Sequence, residues 1–186
     1  MQRASAMTVF ASVLSVSVLV GGLAGCEKKK DATGTQGTNT THGTTGATIP
    51  AAYFVTAEPA GAKPILEVKK AAKAGDPVVM HGRIAGREDP FTAGRASFMM
   101  TDMSLAVCED GCKTPWDHCC DDAKTIATNA ATVQLVDDKG EVIKAAANGV
   151  HGLAPNAELV IVGTIKSMDE AGNLVVDAKQ VYVKKG

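Results

Sequence analysis

The sequence predicts a mainly β chain: a small closed barrel of five short strands with one or two short helices, set behind an amino-terminal leader and linker. Three observations carry this. From residue 78 onward, short apolar stretches alternate inward and outward side chains, at the period of two that half-buried strands need. Two of them, Met80-His81-Gly82-Arg83-Ile84 and Ile161-Val162-Gly163-Thr164-Ile165, carry a central Gly, which inside a strand marks a bulge or bend. The space available, about 120 residues, is short for two sandwich layers and suits a barrel, whose closure removes free edges. A β-sandwich fragment is the competing architecture.

The leader comes first. Arg3 supplies a positive charge, Met7 to Val20 is an apolar run too short to span a bilayer comfortably, and Leu23-Ala24-Gly25-Cys26 follows. This resembles the lipobox of bacterial lipoproteins, where cleavage before the Cys needs small side chains and the Cys then carries lipid. The resemblance implies a signal peptide over residues 1–25 and lipidation of Cys26 with acyl chains such as palmitate. It also implies an exported protein anchored in the cell envelope, at the outer membrane or the periplasmic face, with the membrane as partner. Several acyl chains make a stable anchor where one would be marginal. Residues 26–50 then read as a tether: Lys28-Lys29-Lys30 and a Thr/Gly-rich run without apolar periodicity, unable to offset the entropy of ordering.

The folded part follows. Residues 51–63 read equally as linker or as a short strand around Tyr53-Phe54-Val55, and the domain proper as 64–186. Ile65 to Lys73 has apolar residues at helical spacing, with Pro64 ahead of it and Gly75 to stop it. Strands are expected at Val78–Ile84, Ser97–Thr101, Thr132–Val136, Glu158–Lys166 and Leu174–Val183. Asp137-Asp138-Lys139-Gly140 is a turn by composition, leading to a short extended piece at Glu141-Val142-Ile143. Ala145 to Leu153 is open between a short helix and an irregular bridge. The succession resembles an OB-fold, a five-stranded barrel with a helix between its third and fourth strands, and the weak helical signal near Ala145 is where it departs from that pattern.

A cysteine-rich insertion, residues 103–128, occupies the connection between the second and third of these strands. It holds Cys108, Cys112, Cys119 and Cys120, all the cysteines apart from Cys26, together with Trp116 and His118. Gly82-Arg83-Ile84, Pro90-Phe91, Asp102, Cys108, Cys112 and Thr114-Pro115-Trp116-Asp117-His118-Cys119-Cys120 resemble a family of bacterial lipoproteins of unassigned activity that carry Pro-Trp-Asp-x-Cys-Cys inside an OB-like domain. That resemblance brings a domain type and no activity. Locally, Thr114-Pro115-Trp116-Asp117 has the residues of a helix start, with a hydroxyl cap, Pro in the first turn and an early acid. The helix would place Cys119 and Cys120 about 100° apart in its second turn.

Three chemistries fit four clustered thiols. A disulfide-stapled connection, making the domain a non-catalytic binding or structural module, suits an even number of cysteines in an oxidising compartment. Each bridge would be worth roughly 2–4 kcal/mol, and the pairing would join Cys108 or Cys112 to Cys119 or Cys120. A metal site would use the four thiolates, with His118 as a further ligand, for Zn2+ or copper. Met99, Met100 and Met103 add thioethers that copper favours. Thiol redox chemistry is the third. It is opposed by charge, because Glu109, Asp110, Asp117, Asp121 and Asp122 face one Lys113 and disfavour thiolates.

Charge also argues against nucleic acid. From residue 76 onward 11 Lys and Arg stand against 16 Asp and Glu, where phosphate binding calls for a basic face. His81, Arg83, Arg87 and Arg95 could hold an anion at one barrel edge. The sequence carries no phosphate-cradling glycine loop, no Gly-x-Ser-x-Gly and no His-Glu-x-x-His, so it points to no enzyme class and names no protein or small-molecule ligand.

Overall fold

The computed structural model describes residues 48–108 and 111–185. The leader, Cys26 and nearly all of the tether lie outside them. The chain divides into units 1–42 and 43–186, and every described residue belongs to the second.

Among the described residues, six strands and two α-helices follow in order: β1 (Lys63–Pro64), α1 (Ile65–Ala71), β2 (Pro77–Ile84), β3 (Ser97–Thr101), α2 (Ala123–Asn129), β4 (Ala130–Leu135), β5 (Glu158–Met168) and β6 (Leu174–Val183). The sheet runs β1-β2-β3-β4-β6-β5, and β5 returns to pair with β2. Strands β2 to β6 therefore close into a five-stranded barrel, with β1 as a short parallel addition to β2. Within the barrel, neighbours are antiparallel except β4 and β6, which run parallel with Val133 beside Val176. This is the closed five-stranded barrel expected from the sequence.

Alternation builds the interior. In β2, Val78, Met80 and Ile84 are buried. In β3, Phe98 and Met100 point in while Met99 is half-buried on the other face. Val133 and Leu135 of β4, Leu159, Ile161 and Ile165 of β5, and Leu174, Val176, Ala178 and Val181 of β6 complete the core. Both strand glycines sit where chain meets chain. A Cβ on Gly82 would lie 2.6 Å from the Thr101 carbonyl oxygen and 2.9 Å from Cδ1 of Ile65. One on Gly163 would collide with the Asp177 carbonyl and lie 2.9 Å from Cα of Ala178, at a β5–β6 bulge between Val162 and Gly163.

Helix α1 plugs the barrel with Ile65 and Val68, stopping at Ala71, two residues short of the Lys73 the periodicity suggested. The open stretch 51–63 resolves as a 3-10 turn (Ala51–Tyr53) and a bridge from Phe54 to Val181, and the Tyr53 hydroxyl donates to the Val136 carbonyl at 2.7 Å. The piece at 141–143 is reduced to one bridge, Val142 to Val136. Residues 136–157 carry no helix: turns bury Ala145, Ala147 and Leu153 instead. The second helix lies before β4, where Asp122 accepts from the N–H groups of Lys124 and Thr125. Lys69 of α1 donates to the Ala127 and Thr128 carbonyls at the far end of α2, at 2.7 and 3.0 Å, which satisfies groups the helix leaves open.

Candidate metal centre

The β3–β4 connection is tied down before any cysteine is reached. Asp102, directly after β3, is buried, and its carboxylate accepts from the Leu66 N–H at 2.9 Å, the Ser104 N–H at 2.9 Å and the Ser104 hydroxyl at 2.7 Å. Burial opposes its ionisation, but these donors outweigh it and hold the carboxyl below its usual range. One side chain thus caps α1 and starts the loop.

The expected helix from Thr114 does not form. Pro115–Asp117 makes one 3-10 turn, and His118 ends it in the left-handed conformation with φ 57°. Asp117 works in both directions: its carboxylate accepts from the Thr114 hydroxyl at 2.6 Å and from the Cys119 N–H at 2.8 Å. A continued helix would have fanned Cys119 and Cys120 apart. The reversal at His118 brings both sulfurs to the same side as Cys108 and Cys112.

His118 itself turns away from the sulfurs. Its ring is fully buried, Nδ1 donates to the Ala106 carbonyl at 2.9 Å, and Nε2 pairs with the Thr101 hydroxyl at 3.1 Å. With Nε2 engaged on β3 and Nδ1 on the loop's own Ala106, it serves as an anchor, and the metal-ligand role expected for it gains no support. Trp116 docks the other side: its indole N–H donates to the Glu88 carbonyl at 3.0 Å, and its own carbonyl accepts from the Gly86 N–H at 2.8 Å. The Cys108 N–H donates to the Pro115 carbonyl at 3.0 Å, closing the loop on itself.

Four sulfurs converge as a result. The Sγ separations are 3.0 Å for Cys112–Cys119, 3.2 Å for Cys108–Cys120, 3.7 Å for Cys108–Cys119 and 4.0 Å for Cys119–Cys120. All four lie within 4.8 Å of one another. No pair is at bonding distance: the four cysteines are free thiols, and no disulfide staples the connection. A tetrahedral ion with metal–sulfur bonds of about 2.3 Å spaces its sulfurs about 3.8 Å apart. The four separations, 3.0 to 4.0 Å, bracket that value, with the two shortest pairs closer than a bound ion would hold them.

The thiols share protons unequally. Cys108 is held below the ordinary thiol range, chiefly by the thiol of Cys120 and then by its backbone N–H. Cys119 is pushed up to about 12 by donating to Cys112 and Cys108, and Cys120 up to about 11, mainly by Cys108. Cys112 is also raised: its bond with Cys119 favours the thiolate, but burial and the nearby Cys108 outweigh it. Cys119 and Cys120 are exposed while Cys108 and Cys112 are half-buried, so the cluster opens to solvent on one side.

The remaining candidates have partners of other kinds. His81 pairs with Glu158 at 2.6 Å, and Glu158 also holds Lys184 at 3.1 Å, which places a carboxylate inside the expected anion patch. Arg87 donates to the Phe91 carbonyl of its own loop at 3.3 Å; Arg83 lies opposite Glu158 in the β2–β5 register, and Arg95 is exposed in the turn before β3. Met100 is core, and the Met99 thioether lies against Gly86. Sequence reasoning missed the anchors Thr101 and Asp102 as partners of the loop. The Asp-x-Ser spacing of Asp102 and Ser104, a common side-chain-to-backbone turn, was the available signal for one of them. Comparison with protein-family models, with curated proteins and with solved structures finds no match for this chain.

Proposed function

We propose that this chain is a lipid-anchored envelope protein whose barrel presents a metal site made by Cys108, Cys112, Cys119 and Cys120, taking Zn2+ or a copper ion. One observation supports it above all: every sulfur lies within 4.8 Å of every other. Two disulfides need each sulfur near one partner only, whereas a single ion needs all of them near one point. The left-handed His118 supports the same reading, because it turns two adjacent cysteines, an unusual ligand spacing, toward that point. Anchoring through Cys26 rests on the Leu23-Ala24-Gly25-Cys26 motif.

The ligand set admits either Zn2+ or copper(I). Thiolates suit both, while a solvent-open site suits an ion that is exchanged rather than one that only braces the fold. Metal analysis of the chain purified under reducing conditions tests the proposal. One equivalent of metal, lost together with at least about 100-fold in affinity on Cys120→Ser, is the expected result. Four free thiols with no metal bound at micromolar zinc or copper(I) would overturn it.

A further inference from the structure

We propose that the four sulfurs have a second, metal-free state, reached when a low-molecular-weight disulfide oxidises them to two nested bridges, Cys112–Cys119 and Cys108–Cys120, so that oxidation expels the ion. The release step rests on the metal reading above; the pairing rests on geometry alone.

Four cysteines can pair in three ways. The nested pairing uses each sulfur once and takes the two shortest separations, 3.0 and 3.2 Å. The crossed pairing needs Cys108–Cys119 at 3.7 Å together with Cys112–Cys120, for which only the 4.8 Å bound holds. The side-by-side pairing needs the adjacent Cys119–Cys120, at 4.0 Å and across a single peptide unit. Reaching a bond of about 2.05 Å takes a closure of about 1 Å in each nested pair, within reach of small side-chain rotations. The bond from the Cys108 N–H to the Pro115 carbonyl already folds the outer pair over the inner one. Cys119 and Cys120, one member of each pair, are exposed to an incoming oxidant.

The chemistry balances with the oxidant R–S–S–R. One thiolate of a pair attacks an oxidant sulfur, forming a mixed disulfide and releasing R–S⁻. Its partner thiolate then attacks the protein sulfur of that mixed disulfide, forming the protein bridge and releasing the second R–S⁻. Two oxidant molecules thus take four electrons from four cysteine thiolates, giving two bridges and four R–S⁻. The ion keeps none of its thiolate ligands and leaves.

The test uses the full chain and oxidised glutathione. Reduced, metal-free protein is oxidised and its bridges mapped by fragmentation mass spectrometry. In parallel, closure is timed in the double variants Cys108→Ser/Cys120→Ser, Cys112→Ser/Cys119→Ser and Cys108→Ser/Cys119→Ser. The first two, each keeping a nested pair, should close about tenfold faster than the third. Zinc-loaded wild type, watched with a chromogenic chelator, should release one ion as the second bridge forms. Crossed or side-by-side bridges in the wild type, or equal closure by all three variants, would overturn the pairing. Zinc kept after both bridges have formed would overturn the release. A reduced chain that binds no zinc would sink the metal reading and the release with it, while the mapping still decides the pairing.

Discussion

In β2 every second side chain is buried, and losing any one inward methyl would leave the others in place. The connection between β3 and β4 is built otherwise. Among its described residues from 102 to 122, only Asp102, Leu105 and His118 are buried, and two of those three are polar. The barrel is specified many times over by apolar area, which is non-directional and tolerant. The loop is specified by a handful of directional bonds, each made once. Such a loop can place four sulfurs closely, but it has no reserve.

Substitutions that hit one region and spare the other separate these two modes of construction. The largest effect is expected in the barrel at its tightest strand glycine. Gly163→Ala sets a methyl against the Asp177 carbonyl and Cα of Ala178, both backbone that cannot rotate aside. A loss of roughly 3 kcal/mol or more should follow, seen as a lower urea midpoint. The fraction that stays folded should bind metal with unchanged affinity.

The second expectation belongs to the loop. Because the thiols of Cys119 and Cys120 are raised to about 12 and 11, both carry protons at neutral pH, and an ion must displace them. Affinity should therefore rise with pH and fall as it drops, by about tenfold per pH unit for each proton displaced. Chelator competition between pH 6 and 8 measures it. A flat profile would mean that the ion displaces neither proton, so that neither Cys119 nor Cys120 holds it as a thiolate.

The contrast also explains what could be read in advance. The strands at 78–84, 97–101 and 174–183 were legible because burial and alternation repeat the same message at every second residue, and Gly82 and Gly163 marked the tight places. The loop was legible only as composition. Thr114-Pro115-Trp116-Asp117 carries a genuine helix-start signal, but three long-range bonds override it: Trp116 to Glu88, His118 to Thr101 and the Gly86 N–H to Trp116. None leaves a trace in local sequence. The same holds for Asp102, whose partner Leu66 is 36 positions away. Helix α2 was missed for a different reason: Asp122 is a good cap, but Ala123-Lys124-Thr125-Ile126-Ala127 shows too little apolar period to announce a helix.

His118 is where the two regions join, so its loss should be felt in both. His118→Ala leaves the Thr101 hydroxyl and the Ala106 carbonyl without partners, empties a buried volume and puts a Cβ-bearing residue without a local side-chain bond in the left-handed region. Roughly 2–3 kcal/mol of stability should go, with metal affinity falling as well. His118→Asn separates the contributions, since Asn tolerates the left-handed conformation but cannot reach both partners. Affinity restored by Asn while stability stays low would show that the backbone reversal, rather than the ring, gathers the sulfurs.

The smallest effect is expected at Trp116. Its ring is only half-buried and its one side-chain bond ends on the Glu88 carbonyl in a loop beside the barrel. Trp116→Phe keeps most of the apolar contact and removes only that N–H, a change worth about 1 kcal/mol. The Trp116 carbonyl still accepts from Gly86, so the loop keeps its second attachment. Thermal stability should fall by a few degrees at most, with metal affinity within about threefold of the wild type. A larger loss of affinity than of stability would place Trp116 among the groups that aim the cysteines, and would move the boundary between the two regions from His118 back to the 3-10 turn.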